Sequence, residues 1–494
     1  MSPDDGLSDE ALQGALPATA EDRVYDFLDY LGLQTMFGFG AWAFLVGSLT
    51  GLSVGAFDSI TTALLGNALG LYPGALCAIL FARYGVDQFL LTDAPWGHQG
   101  SKWQVWAFFI PTNLGWIAYC SYLMGQSFRR LLPIIWPGAP EILTTQWPGA
   151  TILAAIAIVV GTYVAYRGPI WMKWFTRVSV PLMLVIILWF MYVTIGEIGI
   201  GNLFSMAPPD GGLYDTYRMN WMNALEFNVA LGFAWAYYWG AWARLGESEN
   251  AAHHGPWWGW GPILCIAVVF SAFAALITGL YDPTAWFAEF ADIMGIAPEL
   301  VTILALTLYG LANTGAVALL TYTGAISQKV VKPTLKWKHA ALTVPLLAIL
   351  LANPWVFDTF STLLTIAAAV WAPYSAILVA DYAMRWRYGF FSADHIRDMY
   401  ENGPYFEYHR GHNLAAWIVL ITMVPLYLGI YNPVEGTVGF LGWGFPTIPG
   451  LLTIFGVSMI AYPVLFKLIY PDHHEQYYDM DRKEDTTRAT SNDD

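Results

Sequence analysis

The chain has 494 residues, of which 56% are hydrophobic and only 12% charged, with a formal net charge of −15. A soluble domain carries about 25% charged residues because its surface faces water, so most of the surface of this chain must face lipid. The acidic balance does not support nucleic-acid binding.

Residues 1–29 form an acidic segment with Asp4, Asp5, Asp9, Glu10, Glu21 and Asp22 and no basic n-region, so no removable signal peptide is expected. Twelve charge-free runs of at least 17 residues follow, at 30–57, 59–82, 103–128, 142–166, 178–196, 227–243, 250–281, 300–328, 339–357, 359–380, 412–433 and 436–466. A bilayer core of about 30 Å takes about 20 apolar residues as a helix, whereas barrel strands are nearer 10 residues. The runs predict an all-α integral membrane protein with twelve transmembrane helices, here called spans 1–12. The tail at 471–494 carries eight acidic residues against three basic ones and reads as solvated and disordered. Cys77, Cys120 and Cys265 fall inside predicted spans as free thiols without metal-ligand spacing, and no cofactor is expected.

Basic residues near helix ends report the side of the membrane. With twelve spans, loops on the side of the termini hold 19 of the 22 Lys and Arg residues, leaving Arg129, Arg130 and Arg218 on the other. Lys329, Lys332, Lys336 and Lys338 form the densest cluster. The expectation is a multi-pass protein of the cell (plasma or inner) membrane with both termini cytoplasmic.

Span 1 contains Phe37-Gly38-Phe39-Gly40-Ala41-Trp42 near its middle, and span 6, the shortest run, contains Leu231-Gly232-Phe233-Ala234-Trp235. These spans open two successive five-span sets, and five is odd, so the second set must be inverted. Interrupted segments at matching positions of inverted halves point to a transporter's binding site, because a broken helix frees backbone groups that lipid cannot satisfy. The expected organisation is a first repeat at 30–196, an inverted second at 197–386, and a linker with spans 11 and 12 at 387–470. Glu226, flanked by polar and aromatic neighbours, is expected at the membrane interface.

Further residues carry a resemblance. Arg83-Tyr84-Gly85, Pro95-Trp96-Gly97 and Gly100-Ser101 lead into span 3; Ala380-Asp381-Tyr382 ends span 10; Asp398-Met399-Tyr400, Gly403-Pro404-Tyr405 and Arg410-Gly411-His412-Asn413 lead into span 11. Their order and spacing resemble the nucleobase–cation symport family one, which includes hydantoin, cytosine, uracil, allantoin and thiamine carriers. The resemblance implies a LeuT-type fold of two inverted five-helix repeats plus two C-terminal helices.

It also implies site residues. Trp116 falls on the family's substrate-stacking tryptophan, and Cys120 stands where hydantoin carriers have a glutamine. Trp235 matches the second stacking tryptophan after a three-residue shift; without the shift the position is Gly232. Ala318 replaces a substrate asparagine. Phe39, Gly40 and Trp42 at the span 1 break complete the expected substrate set. A sodium site is implied at the backbone of Gly38, Ala41 and Tyr309 with the side chains of Asn313 and Thr314. The expected function is a cation-coupled symporter, using Na⁺ or H⁺, that imports a small nitrogenous, heterocyclic solute such as a nucleobase, hydantoin, allantoin or vitamin-like compound. The alternative is a proton-coupled or uncoupled carrier of a small organic cation or other non-nucleobase solute. A channel would show charge rings or pore-lining repeats, and a membrane enzyme would need a nucleophile–base or metal constellation within the spans; the sequence offers neither, so no enzyme activity is expected.

Overall fold

The computed structural model describes residues 16–293, 298–386 and 389–471. The expectations for residues 1–15 and for the tail from 472 lie outside the described residues. Each of the twelve charge-free runs holds a helix. In chain order these are α1 (Phe27–Gly38) and α2 (Ala41–Val54) in span 1, α3 (Ala56–Tyr84), α4 (Ile110–Ile135), α5 (Gly149–Arg167), α6 (Pro169–Ile198), α7 (Tyr217–Phe233), α8 (Glu249–Trp258) with α9 (Leu264–Thr278) in span 7, the short α10 (Pro283–Ile293), α11 (Pro298–Val331), α12 (Trp337–Leu351), α13 (Phe360–Arg385), α14 (Leu414–Ile430) and α15 (Gly450–Ile469). A two-stranded ribbon, Tyr431–Asn432 paired antiparallel with Thr437–Val438, follows α14.

Among the described residues seven helices are long and apolar enough to cross a bilayer, with α8–α9 counted as one, and an eighth crossing results if α1 and α2 form one broken span. Helices α12 and α14 are shorter but apolar. Helices α4 and α7 carry buried amides, among them Asn113, Gln126, Asn220, Asn223 and Asn228, which lowers their hydropathy without exposing them to lipid. The protein is an all-α, multi-pass membrane protein.

The helices pack in two groups. In one, α2 lies on α9 and α7 on α3; in the other, α4 lies on α5, α11 and α12, and α5 on α11. Glycines set the closest crossings. A side chain at Gly70 or Gly232 would run into the facing backbone of the other helix, so α3 and α7 touch main chain to main chain. The motifs that carried the resemblance also lock together. The Gln99 and Gly100 amides both donate to the Gly411 carbonyl at 2.8 and 3.0 Å, and the Asn413 amide donates to the Trp96 carbonyl at 2.9 Å. Asn413 Nδ2 reaches the Pro95 carbonyl at 2.8 Å.

Span 6 differs from its expected bounds of 227–243. Helix α7 starts ten residues earlier, at Tyr217, and ends at Phe233, so Arg218 and Glu226 lie inside it. Glu226 is fully buried within the protein. Its Oε1 accepts the Leu451 amide at 2.8 Å, capping the first turn of α15, where unpaired amides favour a carboxylate.

Candidate substrate and ion site

Span 1 breaks at Phe39 and Gly40. The Phe39 amide still donates to Thr35 at 2.8 Å and that of Gly40 to Phe37 at 3.2 Å, after which α2 restarts with Ala43 on the Gly40 carbonyl. The two halves meet at 54°. Trp42 folds back over Gly40, filling the space a side chain there would need. The freed Ala41 amide is taken by a neighbour: Asn313 Oδ1 accepts it at 3.0 Å, and Asn313 Nδ2 donates to the Tyr309 carbonyl at 2.8 Å. The Cys120 thiol faces the same amide. Ala41, Cys120, Tyr309 and Asn313 are thus brought together. Thr314, next on α11, turns its hydroxyl to the Gly310 carbonyl at 2.9 Å, and Gly38 packs toward Gly259 and Leu264 of span 7.

Span 6 is also interrupted. After Phe233 the chain runs through turns from Ala234 to Trp239 before a short helix at Gly240–Ala243. The Gln88 Oε1 accepts the Ala241 amide at 2.7 Å, while its Nε2 donates to Ser327 at 3.3 Å. Each restarting segment is therefore met by a buried side-chain amide from another element: Asn313 in span 1, Gln88 in span 6.

The two breaks converge on aromatic rings. Trp235 lies 4.2 Å from Trp42 and 4.8 Å from Trp116, centroid to centroid, and Trp42 and Trp116 are 6.0 Å apart. Phe37 meets Trp235 at 4.9 Å, and Trp260 meets it at 5.6 Å. These rings are buried, and the indole nitrogens of Trp42, Trp235 and Trp260 lack a hydrogen-bond partner among the described residues. Tyr238 joins the rim, at 5.1 Å from Trp235, and donates to Asn113 Oδ1 at 3.0 Å. Of the expected substrate set, Trp42, Trp116 and Trp235 touch, with Gly40 beneath Trp42 and Cys120 at the Ala41 amide. Phe39 is buried without a ring contact among the described residues, Ala318 is buried on α11, and Gly232 sits at the Gly70 crossing. Trp235, not Gly232, lies beside Trp116. Phe37, Trp260, Gln88 and Asn113 were not singled out by sequence reasoning. The Gly259-Trp260-Gly261-Pro262 string, where the helix changes pitch between α8 and α9, was the available signal for Trp260.

Both ends of the site are covered. On the Arg130 side, α10 inserts Trp286 and Phe287 against Phe44 at 6.4 and 6.1 Å, and Trp286 Nε1 donates to Ser48 at 3.1 Å. Arg130 anchors the start of α10 through Asp282 at 3.2 Å and Thr284 at 3.0 Å. On the other side, Tyr25 pairs its main chain with Leu245 and Glu247 at 3.1 and 2.9 Å, and Asp29 holds Lys173 and Arg177 at 2.5 and 2.6 Å. Asp87, in the turn after α3, caps the Phe89 amide at 2.9 Å, and burial pushes its carboxyl up to about 7.

No protein-family model matches the chain, and no curated protein matches it. Solved structures do. Mhp1, a nucleobase-cation-symport-1 family transporter, in a closed conformation with bromovinylhydantoin bound, matches at a TM-score of 0.70 and 16% identity, covering 94% of this chain and 98% of that one. Mhp1 in its inward-facing conformation matches at 0.71 and 14% identity, over 94% and 96%. A Na⁺-coupled sialic acid symporter in its substrate-bound outward-open state matches at 0.56 and 11% identity, over 93% of each chain. The family resembled by the loop motifs is thus that of a structural neighbour found independently of them, and the chain has the all-α fold of these membrane transporters.

Proposed function

We propose that this protein is a cation-coupled secondary transporter that imports a small, nitrogenous, heterocyclic solute by alternating access across the cell membrane, with both termini cytoplasmic. The observation that carries the reading is the convergence of the span 1 and span 6 breaks on Trp42, Trp116 and Trp235 within a fold shared with symporters. A planar ring suits the indole faces, where stacking contributes about 0.5–1.5 kcal/mol beyond area burial. The buried indole N–H groups offer donors to the ring carbonyls of such a solute, and an unpaired buried donor costs about 1–3 kcal/mol until it is met. The packing supports two inverted repeats: the pair α2–α9 (spans 1 and 7) corresponds under a five-span shift to α7–α3 (spans 6 and 2), and α4–α12 (spans 3 and 9) to α11–α5 (spans 8 and 4).

The coupling ion is a co-transported substrate. Its expected ligands include the Tyr309 carbonyl, the Asn313 amide oxygen and the Thr314 hydroxyl, hard oxygen donors of the kind that suit Na⁺. Asn313 already cross-links Ala41 to Tyr309, so an ion using these oxygens competes with that cross-link. The cluster of indole faces supports a second reading, a proton-coupled or uncoupled carrier of a small organic cation or other non-nucleobase solute, because indole faces attract cations.

Uptake into proteoliposomes tests both. Labelled nucleobases, hydantoins, vitamins and small organic cations are offered with an inward Na⁺ gradient, an inward proton gradient or neither. Saturable, Na⁺-driven uptake of a planar heterocycle is the expected result. Uptake of an organic cation that ignores Na⁺ supports the second reading, and absence of saturable uptake for every solute overturns both.

A further inference from the structure

A groove runs along the outer seam between α5 and α12. It opens as a cavity of about 370 Å³ lined by Ile158, Thr162, Tyr166, Lys338, Leu342 and Leu346. A second cavity of about 660 Å³ continues it from Ile349 to Trp147 and Asn353. Val159, Leu342, Leu346 and Leu350 along it are exposed, so hydrocarbon from the bilayer lies against this seam.

The two ends of the groove differ in charge. Residues 163–177 and 329–343, at the Lys338 end, hold seven Lys and Arg residues and no Asp or Glu. Two of the seven, Lys173 and Arg177, are held by Asp29. Lys338 is exposed and makes no hydrogen bond or ion pair among the described residues. The far end, at 141–151 and 349–358, holds Glu141 and Asp358 and no Lys or Arg. At the basic end Trp337 Nε1 donates to the Tyr166 carbonyl at 3.3 Å, which fastens the two helices together where a headgroup would sit.

The lengths agree with an amphiphile of one leaflet. From Lys338 to Ile349, eleven residues rise about 16 Å along α12, half of a bilayer core of about 30 Å. We infer that the α5–α12 seam is a binding site for an anionic glycerophospholipid, its acyl chain lying along Leu342 and Leu346 and its phosphate meeting Lys338. Basic sites between transmembrane helices bind anionic headgroups in this way, and each Lys or Arg near a membrane surface contributes about 1 kcal/mol.

Native mass spectrometry of the full chain in detergent tests the inference, with phosphatidylglycerol and phosphatidylcholine of identical acyl chains as probes. The expected result is retention of phosphatidylglycerol over phosphatidylcholine by about fivefold, the ratio that one lysine contact supports. Lys338→Gln brings phosphatidylglycerol down to the phosphatidylcholine level, and Leu342→Trp, which fills the groove, removes the retained lipid of both kinds. Equal retention of the two lipids by the wild type overturns the inference, as does a phosphatidylglycerol preference that survives both substitutions. Should Leu342→Trp fail to fold, Lys338→Gln, a change to an exposed side chain, decides alone.

Discussion

Asn313 Oδ1 accepts the amide proton of Ala41 at 3.0 Å while its Nδ2 donates to the Tyr309 carbonyl at 2.8 Å, so one side chain ties the broken span 1 to α11. Asn313→Ala leaves the buried Ala41 N–H without its acceptor, at a cost of about 1–3 kcal/mol, while the Tyr309 carbonyl keeps its partner within the helix. The expected outcome is a lower melting temperature in detergent. Because the Asn313 oxygen is itself an expected Na⁺ ligand, NaCl in place of choline chloride should stabilise this variant less than wild type. An equal response of the two proteins separates the ion from this position.

Glu226 is a capping residue by its geometry, accepting the Leu451 amide at 2.8 Å. Glu226→Gln keeps an oxygen at that amide and should retain transport, whereas Glu226→Ala should lose about 1–3 kcal/mol of stability. Uptake abolished in a well-folded Glu226→Gln protein would assign the carboxylate to the transport cycle instead.

Asp87 gives a pH dependence with a definite sign. Its folded carboxyl is pushed up to about 7 by burial, against an ordinary value of about 3.9. Between these values the folded state binds more protons than the unfolded one, so the Asp87 contribution falls as pH rises through about 4 to 7 and is flat above. A gap of about three units bounds the effect at about 4 kcal/mol. Asp87→Asn, which can still accept from Phe89, should therefore gain stability relative to wild type between pH 4.5 and 7.5. A difference in melting temperature that does not change with pH contradicts this.

Orientation is expected from the 19:3 division of basic residues. A single cysteine at Lys332, in a background lacking Cys77, Cys120 and Cys265, should resist an impermeant thiol reagent in intact cells and react after permeabilisation. Labelling from outside reverses the topology.

The span 1 break was legible because Gly38 and Gly40 sit in mid-span, and a bilayer penalises unpaired backbone that nothing else satisfies. The loop motifs were legible in order and spacing because residues 95–100 and 411–413 bond to each other through main chain and the Asn413 side chain. The start of span 6 was not, since a search for charge-free runs stops at Glu226, whose charge is met by an amide 225 residues away. Gln88 and Asn113 were missed for a related reason. A polar residue in a loop or near a helix start has no periodic signature, and its role appears only once Ala241 and Tyr238 are brought to it.

The central claim is that the solute binds where Trp116 and Trp235 meet, 4.8 Å apart. The most direct measurement is the affinity of the solute identified by uptake for purified wild type, Trp116→Ala and Trp235→Ala, with melting temperatures recorded alongside. Loss of a stacking contact worth about 1.4 kcal/mol weakens binding tenfold, so the account expects at least about a tenfold loss in each folded variant. Wild-type affinity in both folded variants would contradict it and move the site away from the junction of the two broken spans.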